Sequence, residues 1–293
     1  NHVRQHGAVA EWWRSNLKEI PADAVILEAG CGNCSMLPDM IRSNTGRRYI
    51  GVDLASISPS KVAEELLANH AVELTLHAET SVEQIPEPDE SVNVYVSVFG
   101  VEYSDLGRSL PEAFRILRPE GCFRALLHHD ESVVTTMSRR ALAEFNEEDI
   151  THVIEALSTI SKEREKALSL SELKANPKAE KRRKRINSLA EKDLSNTDPD
   201  TANATMFEVM NDALKFFRMM NENRKARDQF ITSLEEEHRA SHERFRQMVS
   251  VAMNHAEIED VESLLDQAGF RNVRSNIIHN NDDILAWELC AEK

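Results

Sequence analysis

The sequence predicts a doubly wound α/β fold that is built on a parallel sheet and interrupted by a long block of helices. Short segments rich in apolar and β-branched residues alternate with helical patterns over the first 130 residues, as is typical of such sheets. Strand patterns and glycine then disappear until Gly269, where the α/β pattern returns. We therefore expect one core domain made of residues 1–130 and 253–293, with a helical insertion at 131–252. Insertions of this kind usually cover the ligand-binding end of the sheet.

Charge and composition weigh against several classes of function. The 293 residues carry a net charge of −15, which repels phosphate backbones and anionic lipid surfaces and argues against a nucleic-acid partner. No apolar run approaches the roughly 20 residues of a membrane-spanning helix, and the N-terminal segment lacks the apolar core of a signal peptide. The four cysteines suit reduced thiols rather than a disulfide framework. We expect a cytoplasmic protein with no membrane partner.

The first half of the chain shows the elements of the sheet in order. Residues 7–20 form an amphipathic pattern that predicts a helix stopped by Pro21. Five strand patterns follow, at Ala24–Glu28, Tyr49–Val52, Val72–His77, Val92–Val98 and Cys122–His128. Three helical patterns lie between these strands. The first begins near Ser35, the second begins at a Ser58-Pro59 cap, and the third ends at Arg118–Gly121.

The first strand runs into Glu28-Ala-Gly30-Cys-Gly32, the stretch around which the chain is organised. Glycine lacks a Cβ, so the backbone N–H groups of this turn can close on a ligand, and the start of the next helix adds a positive partial charge. Asp53 ends the second strand, and ligands of open α/β sheets bind at the carboxyl ends of the strands. A carboxylate there can accept two hydrogen bonds from a diol such as that of a ribose, so this edge is compatible with a ribose-containing ligand.

A dinucleotide oxidoreductase is the first alternative that this argument leaves open. Dinucleotide binding requires the turn G-x-G-x-x-G. Here Ser35 stands at the position of the third glycine, and no glycine follows Gly32 in the run. The turn therefore favours a different ribose-containing cofactor.

The helical block carries an apolar stripe, and the end of the chain carries a hairpin. Apolar residues from Met206 to Met220 are spaced 4, 3, 4 and 3 residues apart, as on a helix that packs one face against partners. A homodimer through the helical insertion is compatible with that stripe. Residues 195–201 predict a loop, and the basic run 181–185 predicts an exposed helix face. After a helix closed by Gly269, two strand patterns flank a turn at Asn280–Asp283.

Five motifs stand in a fixed order along the chain. They are Glu28-Ala-Gly-Cys-Gly, Asp53 after the second strand, Ala78-Glu79-Thr80, the strand Val92–Ser97, and the helix end Glu112–Gly121. A final Ala-Gly-Phe-x-x-Val precedes the hairpin. Together they resemble a class I S-adenosylmethionine-dependent methyltransferase of the small-molecule type. The resemblance implies a Rossmann-like, doubly wound seven-stranded sheet, mostly parallel with an antiparallel last strand, and an all-helical insertion between the fifth and sixth strands.

The resemblance implies S-adenosyl-L-methionine as cofactor and a small molecule as methyl acceptor. It places Gly30, Cys31 and Gly32 against the methionine portion, with Glu28 shaping the loop. It places Asp53 on the ribose hydroxyls. The remaining expected cofactor contacts are Glu79 and Thr80 near the adenine and Ser97 on the fourth strand. The sequence departs from the family at Cys34, which stands where the third glycine of the first motif is expected.

His128 and His129 end the fifth strand, on the side where the resemblance places the acceptor. A histidine there can deprotonate a hydroxyl, amine or thiol as it attacks the methyl group. The alternative is a polar strand end without a chemical role, and Glu102 and Tyr103 compete for the role of base. Methyl transfer needs little acid–base help, because alignment of the nucleophile with the methyl carbon supplies much of the rate.

Other interpretations remain open. The spacing Cys31-x-x-Cys34 is that of a redox motif, but the pair coincides with the glycine turn and lacks the second half of a zinc site, so we expect no metal. The acceptor is alternatively a tRNA or a protein. A non-catalytic relative, in which the helical block serves interaction or dimerisation, is the remaining alternative.

Overall fold

The computed structural model describes residues 7–194 and 204–293. The predicted loop at 195–201 lies outside the described residues, as do the first six residues of the chain. The chain divides into two compact units. An α/β unit comprises the chain up to Thr136 together with Ser250–Lys293, and a helical unit comprises Met137–Val249.

The first part of the α/β unit contains four helices and five strands. In chain order they are α1 (Ala8–Leu17), β1 (Val25–Ala29), α2 (Leu37–Arg42), β2 (Arg48–Val52), α3 (Lys61–Leu67), β3 (Glu73–His77), β4 (Val92–Val98), α4 (Leu106–Ile116) and β5 (Leu117–Leu127). A short 3-10 helix at Val101–Tyr103 lies between β4 and α4.

Six helices follow β5, and then the α/β pattern returns. The helices are α5 (Val133–Glu144), α6 (Glu147–Lys166), α7 (Leu170–Ala175), α8 (Pro177–Leu194), α9 (Ala204–Arg218) and α10 (Arg224–Val251). The chain ends with α11 (His255–Ala268), β6 (Arg271–Asn280) and β7 (Asp283–Glu292). Gly269 closes α11 with φ +105°, a left-handed conformation that glycine adopts without strain.

The seven strands form one sheet in the order β3-β2-β1-β4-β5-β7-β6. The first five strands pair in parallel, and β7 is antiparallel to both of its neighbours, β5 and β6. This confirms the predicted seven-stranded, mostly parallel sheet with an antiparallel last strand. At the centre, Ala29 of β1 is level with Val52 of β2 and Ser97 of β4, so the carboxyl ends of these strands lie side by side.

Both faces of the sheet are covered, which explains why β1 is apolar along nearly its whole length and buried at all five residues. Leu27 and Ala29 pack with α4 and α11 in one apolar cluster. Ile26 packs with α1 and α2 in a second cluster on the opposite face. The alternation of side chains along the strand thus supplies both layers of the core.

The structure moves three predicted boundaries. The helix predicted to open near Ser35 begins at Leu37, because Cys34 has φ +56° and so cannot belong to a right-handed helix. Helix α3 is capped by Ser60 rather than Ser58, since the Ser60 hydroxyl accepts the N–H of Ala63 at 3.3 Å. Strand β5 begins at Leu117, which pairs with Val92. The register between β4 and β5 then shifts, so that Val94 pairs with Cys122.

The helical unit has its own apolar core, formed by side chains of α6, α7, α8, α9 and α10. Arg227 of α10 is buried there, and its guanidinium donates to the Ser161 hydroxyl at 3.3 Å, to the Ser161 carbonyl at 3.2 Å and to the Glu222 carbonyl. With the Glu165 carboxylate, whose Oε2 lies 3.5 Å from Nη2, these acceptors compensate for the loss of water around the charge. In the ranges the structure describes, no helix combines the length and apolarity needed to cross a membrane.

Candidate functional site

A cavity of about 370 Å³ opens where the carboxyl ends of β1, β2 and β4 meet. Its walls come from the four segments that follow β1, β2, β3 and β4. The lining residues are Gly30, Gly32, Asp53, Leu54, Thr80, Ser81, Val82, Glu83, Phe99, Gly100, Tyr103 and Ser104. Of the predicted cofactor contacts, the structure therefore brings Gly30, Gly32, Asp53 and Thr80 to one cavity.

The two glycines of the turn, Gly30 and Gly32, have different surroundings. Gly30 has φ +70°, and a Cβ added to it would lie 2.7 Å from the Cα of Gly100 in the segment after β4. Gly32 has φ +52°, and a Cβ there would meet nothing within 4 Å. The first glycine is therefore required by packing, whereas the second leaves open space at the cavity wall.

The amides of the glycine turn do not point at a ligand as the sequence led us to expect. The N–H groups of Gly30 and Cys31 both donate to the Val52 carbonyl, at 2.8 and 3.2 Å. The N–H of Gly32 donates to Oδ2 of Asp53 at 2.7 Å. These bonds fasten the turn to the end of β2, so its donors are already used.

Asp53 is the best-defined polar group of the cavity. Oδ2 accepts from Gly32, and Oδ1 accepts the N–H of Ala55 at 2.8 Å, which fixes the rotation of the carboxylate. Each carboxylate oxygen has two lone pairs, so one acceptor position on each oxygen is left for a ligand. Two parallel acceptors on one rigid group match the two hydroxyls of a ribose.

Thr80 and Glu79, both expected near the adenine, have different surroundings. The backbone N–H of Thr80 donates to the Asp53 carbonyl at 3.0 Å, and the residue lines the cavity. Glu79 is exposed, has φ +53° and is not among the lining residues. The positive φ turns the chain at Glu79, so that the next residue, rather than Glu79, faces the cavity.

Glu28, Ser97 and Cys31 lie beneath the cavity and do not line it. Glu28 is fully buried and accepts the hydroxyl hydrogen of Tyr49, whose pKa is raised by burial and by the nearby Glu28 carboxylate. The Ser97 hydroxyl donates to the Ala29 carbonyl at 2.9 Å and accepts the N–H of Val101 at 2.8 Å. These groups join the ends of β1, β2 and β4 and so hold the cavity walls.

The two cysteines of the glycine turn are free thiols in a buried environment. A hydrogen bond with Cys34 and burial raise the pKa of the Cys31 thiol far above its usual value. A protonated, buried thiol is a poor nucleophile and a poor metal ligand. Among the described residues, no group of three or more His, Cys, Asp or Glu side chains is placed to hold a metal ion.

His128 lies directly behind the cavity wall. Its ring stacks on Phe99 with the ring centres 4.5 Å apart, and the edge of Tyr103 approaches it at 6.0 Å. The backbone N–H of His128 donates to Glu102 Oε1 at 3.3 Å, and its Nε2 lies 4.0 Å from the same oxygen. Phe99 and Tyr103 line the cavity, whereas His128 does not.

His129 lies farther from the cavity wall, on the opposite side of the strand end. Its ring stacks on Trp287 of β7 with the centres 4.6 Å apart. Nδ1 accepts the N–H of Glu131 at 3.0 Å, so the neutral ring carries its proton on Nε2. Burial lowers the pKa of His129, and in the part of the chain that the structure describes, its Nε2 has no hydrogen-bond partner.

Most lining residues that the sequence reasoning missed are apolar or small. They are Leu54, Ser81, Val82, Glu83, Phe99, Gly100 and Ser104. One of them carried a usable signal, since Gly100 follows a buried strand as Gly30 does. Leu54, which follows Asp53, is 75% exposed in the structure. Glu83 is held in place by Arg108, whose Nη1 lies 2.7 Å from its carboxylate.

The cavity fits an adenosyl cofactor in size and in chemistry. Its volume is within the range of small-molecule sites. Asp53 offers a pair of acceptors for the ribose diol, and Leu54 and Val82 offer apolar surface beside it for a flat base. The open space at Gly32 leaves room for a ligand at the end of β1.

Comparisons with known proteins point to one family. Residues 26–121 match the family model described as a methyltransferase domain. U6 snRNA (guanine-N(2))-methyltransferase THUMPD2 of Bos taurus is 31% identical over 124 residues, which cover 41% of this chain and 25% of the relative. Malonyl-[acyl-carrier protein] O-methyltransferase of Yersinia pestis is 33% identical over 103 residues, which cover 33% of this chain and 34% of the relative.

A third relative is the ubiquinone/menaquinone biosynthesis C-methyltransferase UbiE of Rickettsia massiliae, 28% identical over 136 residues. The match covers 43% of this chain and 53% of the relative, so the chain spans between a quarter and about half of the length of these three proteins. The matched residues contain β1 to β4, the glycine turn and Asp53. The chain therefore contains a class I S-adenosylmethionine-dependent methyltransferase domain, and S-adenosyl-L-methionine is its cofactor.

Proposed function

We propose that this protein transfers the methyl group of S-adenosylmethionine to an O, N, S or C nucleophile of a small molecule. The observation that carries the proposal is the Asp53 carboxylate, which two backbone N–H groups orient at a cavity that Gly30, Gly32 and Gly100 also line. When bound, the cofactor would supply an electrophilic methyl group whose leaving group is the neutral thioether S-adenosylhomocysteine, which needs no protonation.

The side chains around the cavity would then have separate roles. Asp53 would accept the ribose hydroxyls, and Thr80 and Ser81 would lie near the base. Gly32 would leave room for the ligand beside the turn, and the close contact of Gly30 with Gly100 would hold the segments after β1 and β4 together. The aromatic rings of Phe99 and Tyr103 would exclude water on the side of β4.

For acceptors whose nucleophile must lose a proton, the predicted bases are His128 and His129. A general base must come within hydrogen-bond reach of the proton that it removes. His128 lies directly behind Phe99 and Tyr103, which line the cavity, and it would reach a ligand if these side chains moved; Tyr103 is 44% exposed. His129 is separated from the cavity by its stacking on Trp287, so the geometry favours His128.

The first test is thermal unfolding with S-adenosylhomocysteine and, in parallel, with NADH. A ligand at 100 times its dissociation constant stabilises a protein by about 2.7 kcal/mol, a rise of several degrees in Tm. We expect a rise with S-adenosylhomocysteine alone, followed by formation of that product when small-molecule acceptors are screened. A rise with NADH alone would identify a dinucleotide enzyme, and cofactor binding without turnover on any acceptor would identify a non-catalytic relative.

An RNA acceptor is the second candidate, and two observations favour it. One curated relative is an snRNA methyltransferase, and residues 174–185 contain seven basic residues and one acidic residue. Against it, residues 137–249 contain 21 basic and 21 acidic residues, so the net charge of −15 belongs to the rest of the chain. Binding of a structured RNA at 0.15 M salt, with affinity that falls steeply as salt rises, would favour this candidate.

Two further parts of the proposal concern assembly and location. All four cysteines are free, which suits the cytoplasm. The apolar stripe from Met206 to Met220 is covered by the core of the helical unit, whereas Phe207 and Leu214, which are not part of the stripe, are exposed. Light scattering after size-exclusion chromatography would decide between a monomer and the homodimer that we expected from this stripe.

A further inference from the structure

The helical unit contains a second cavity, of about 250 Å³, formed by α6, α7, α8 and the end of α9. Its lining residues are Ile160, Leu170, Leu173, Lys174, Ala179, Glu180, Arg183, Phe217 and Met220. Six of these nine are apolar, and the three charged residues come from α7 and α8. The cavity thus combines an apolar interior with charges supplied by two neighbouring helices.

Polar side chains outside the cavity hold its walls. Arg164 of α6 donates to the carbonyl of Met220 at 2.9 Å and to that of Ala167 at 3.0 Å. Asn176, between α7 and α8, donates to Oε2 of Glu163 at 2.9 Å. These bonds join the C-terminal end of α6 to the segment after α9 and to the junction of α7 and α8, so they hold together the helices that line the cavity.

The three charges around the cavity are not equivalent. Arg183 donates to both oxygens of Glu180, at 2.7 and 2.8 Å, so these two charges compensate each other. Lys174 is exposed, and within residues 7–194 and 204–293 it has no hydrogen bond or ion pair. The uncompensated charge at the cavity is therefore one ammonium group.

The surroundings reinforce that charge. Residues 174–185 carry a net charge of +6 in a chain whose total is −15, so this segment attracts anions. Apolar side chains are also exposed here, since Leu168 is 95% and Leu170 is 40% exposed. Leu170 also lines the cavity, so exposed apolar surface reaches into it.

We propose that this cavity binds the hydrocarbon chain of an anionic amphiphile, with the head group against Lys174. The class of ligand is a chain of about eight to ten carbons, or the first part of a longer one, that ends in one carboxylate or phosphate. The volume limits the chain, since 250 Å³ holds roughly eight groups of about 30 Å³, the volume of a water molecule. The source is either a free carboxylate or an anionic phospholipid.

Titration calorimetry of the full chain with hexanoate, octanoate, decanoate and dodecanoate tests chain length. Each methylene that becomes buried strengthens binding about fourfold. We expect affinity to rise at that rate to about ten carbons and then to level off. Decyltrimethylammonium, which has the same chain and the opposite charge, should bind at least tenfold more weakly than decanoate. Equal binding of the two ions, or no binding of decanoate at millimolar concentration, would overturn the proposal.

Variants test the position of the ligand. Lys174→Glu should weaken decanoate binding at least tenfold, and Leu170→Gln, at a half-exposed wall position, should weaken it severalfold. Lys178→Glu is the matched control, because it makes the same charge change on an exposed residue that does not line the cavity. If the Lys174 and Lys178 variants lose the same affinity for decanoate, the effect is general charge attraction, and the proposed position of the head group at Lys174 is wrong. Circular dichroism confirms that each variant is folded.

Vesicles distinguish the two sources of the ligand. Binding to phosphatidylglycerol vesicles that decanoate displaces, and that Lys174→Glu abolishes, would identify a membrane lipid. Decanoate binding without vesicle binding would identify a free amphiphile. Neither readout involves methyl transfer, so failure here leaves the proposed function untouched.

Discussion

At the scale of single residues, Asp53 is the group on which cofactor binding should depend most. Its carboxylate holds the glycine turn and offers acceptors to a ribose diol, and hydrogen bonds to charged groups contribute about 1.5–3 kcal/mol each. We predict that Asp53→Ala weakens binding of S-adenosylhomocysteine at least tenfold, which corresponds to about 1.4 kcal/mol. Titration calorimetry measures the change.

Glu79 provides the matched control for Asp53. It is also acidic and follows the neighbouring strand β3, but it is exposed and does not line the cavity. Glu79→Ala should change the affinity less than threefold. If the two variants lose affinity equally, the cavity described here is not the cofactor site.

A second residue-scale prediction concerns pH. Burial lowers the pKa of His129 in the folded state below its ordinary value of about 6.5, so folding favours the neutral ring. Stability should therefore be unaffected above pH 6.5 and should decrease as the pH falls below that value, because the unfolded chain takes up the proton first. Denaturant unfolding of the wild type between pH 5 and pH 8 measures this slope.

His129→Gln should make that part of the pH profile flatter. His70→Gln, which changes an exposed histidine after α3, should leave it as in the wild type. A His129→Gln profile as steep as that of the wild type would show that another group causes the loss of stability.

Residue patterns identified the site only in part, and the reason is geometric. Gly30 and Asp53 could be predicted because their roles follow from backbone position at the end of a strand. Glu28 and Ser97 lie within the last two residues of β1 and β4, but their side chains bond Tyr49 and the Ala29 carbonyl in the interior, and sequence spacing alone did not show this. Leu54 and Val82 could not be assigned, because an apolar side chain in a loop has no chemical signature of its role.

At the scale of elements, the segments that follow β1 and β4 lie so close together that the contact should leave no room for a side chain at Gly100. A Cβ on Gly100 would lie 2.7 Å from the Ala29 carbonyl oxygen and 3.0 Å from the Cα of Gly30. Gly100 has negative φ, so Gly100→Ala tests the contact without backbone strain. We predict a loss on the order of 1–3 kcal/mol, as for overpacking, with a fall in Tm of roughly 2–4 °C per kcal/mol.

Gly107→Ala is the control for this contact. Gly107 lies in the first turn of α4, where the nearest atom to an added Cβ is a side-chain oxygen of Asp105 at 3.2 Å. Alanine is favoured over glycine in a helix by up to about 1 kcal/mol, so this variant should be as stable as the wild type or slightly more so. Calorimetry of both variants gives the comparison.

The elements themselves were largely predictable, because strands buried on both faces and glycine-terminated helices leave clear patterns. All seven strands lie where the sequence predicted them, apart from shifts at their ends. The late start of α2 was not predictable, since it depends on a left-handed Cys34 that nothing in its residue type requires. The choice between Ser58 and Ser60 as the cap of α3 was ambiguous for a similar reason, because both are good capping residues.

At the scale of the whole molecule, the two units differ in charge and in the cavities they contain. All the residues that line the cofactor cavity belong to the α/β unit, and all that line the apolar cavity belong to the helical unit. The chain leaves and re-enters the α/β unit at adjacent points, since the N–H of Asp130 donates to the Met253 carbonyl at 3.0 Å and that of Met253 donates to the His128 carbonyl at 2.8 Å. The α/β unit is therefore continuous without the helices.

This arrangement predicts that the α/β unit folds and binds cofactor by itself. We expect a chain in which a flexible Gly/Ser linker of about 12 residues, which spans on average roughly 19 Å, replaces Met137–Val249 to bind S-adenosylhomocysteine within threefold of the full chain. It should also retain the Asp53→Ala effect and lose decanoate binding completely. Calorimetry with both ligands measures this. A shortened chain that is unfolded, or folded but unable to bind S-adenosylhomocysteine, would show that the helical unit is needed to form the cofactor site.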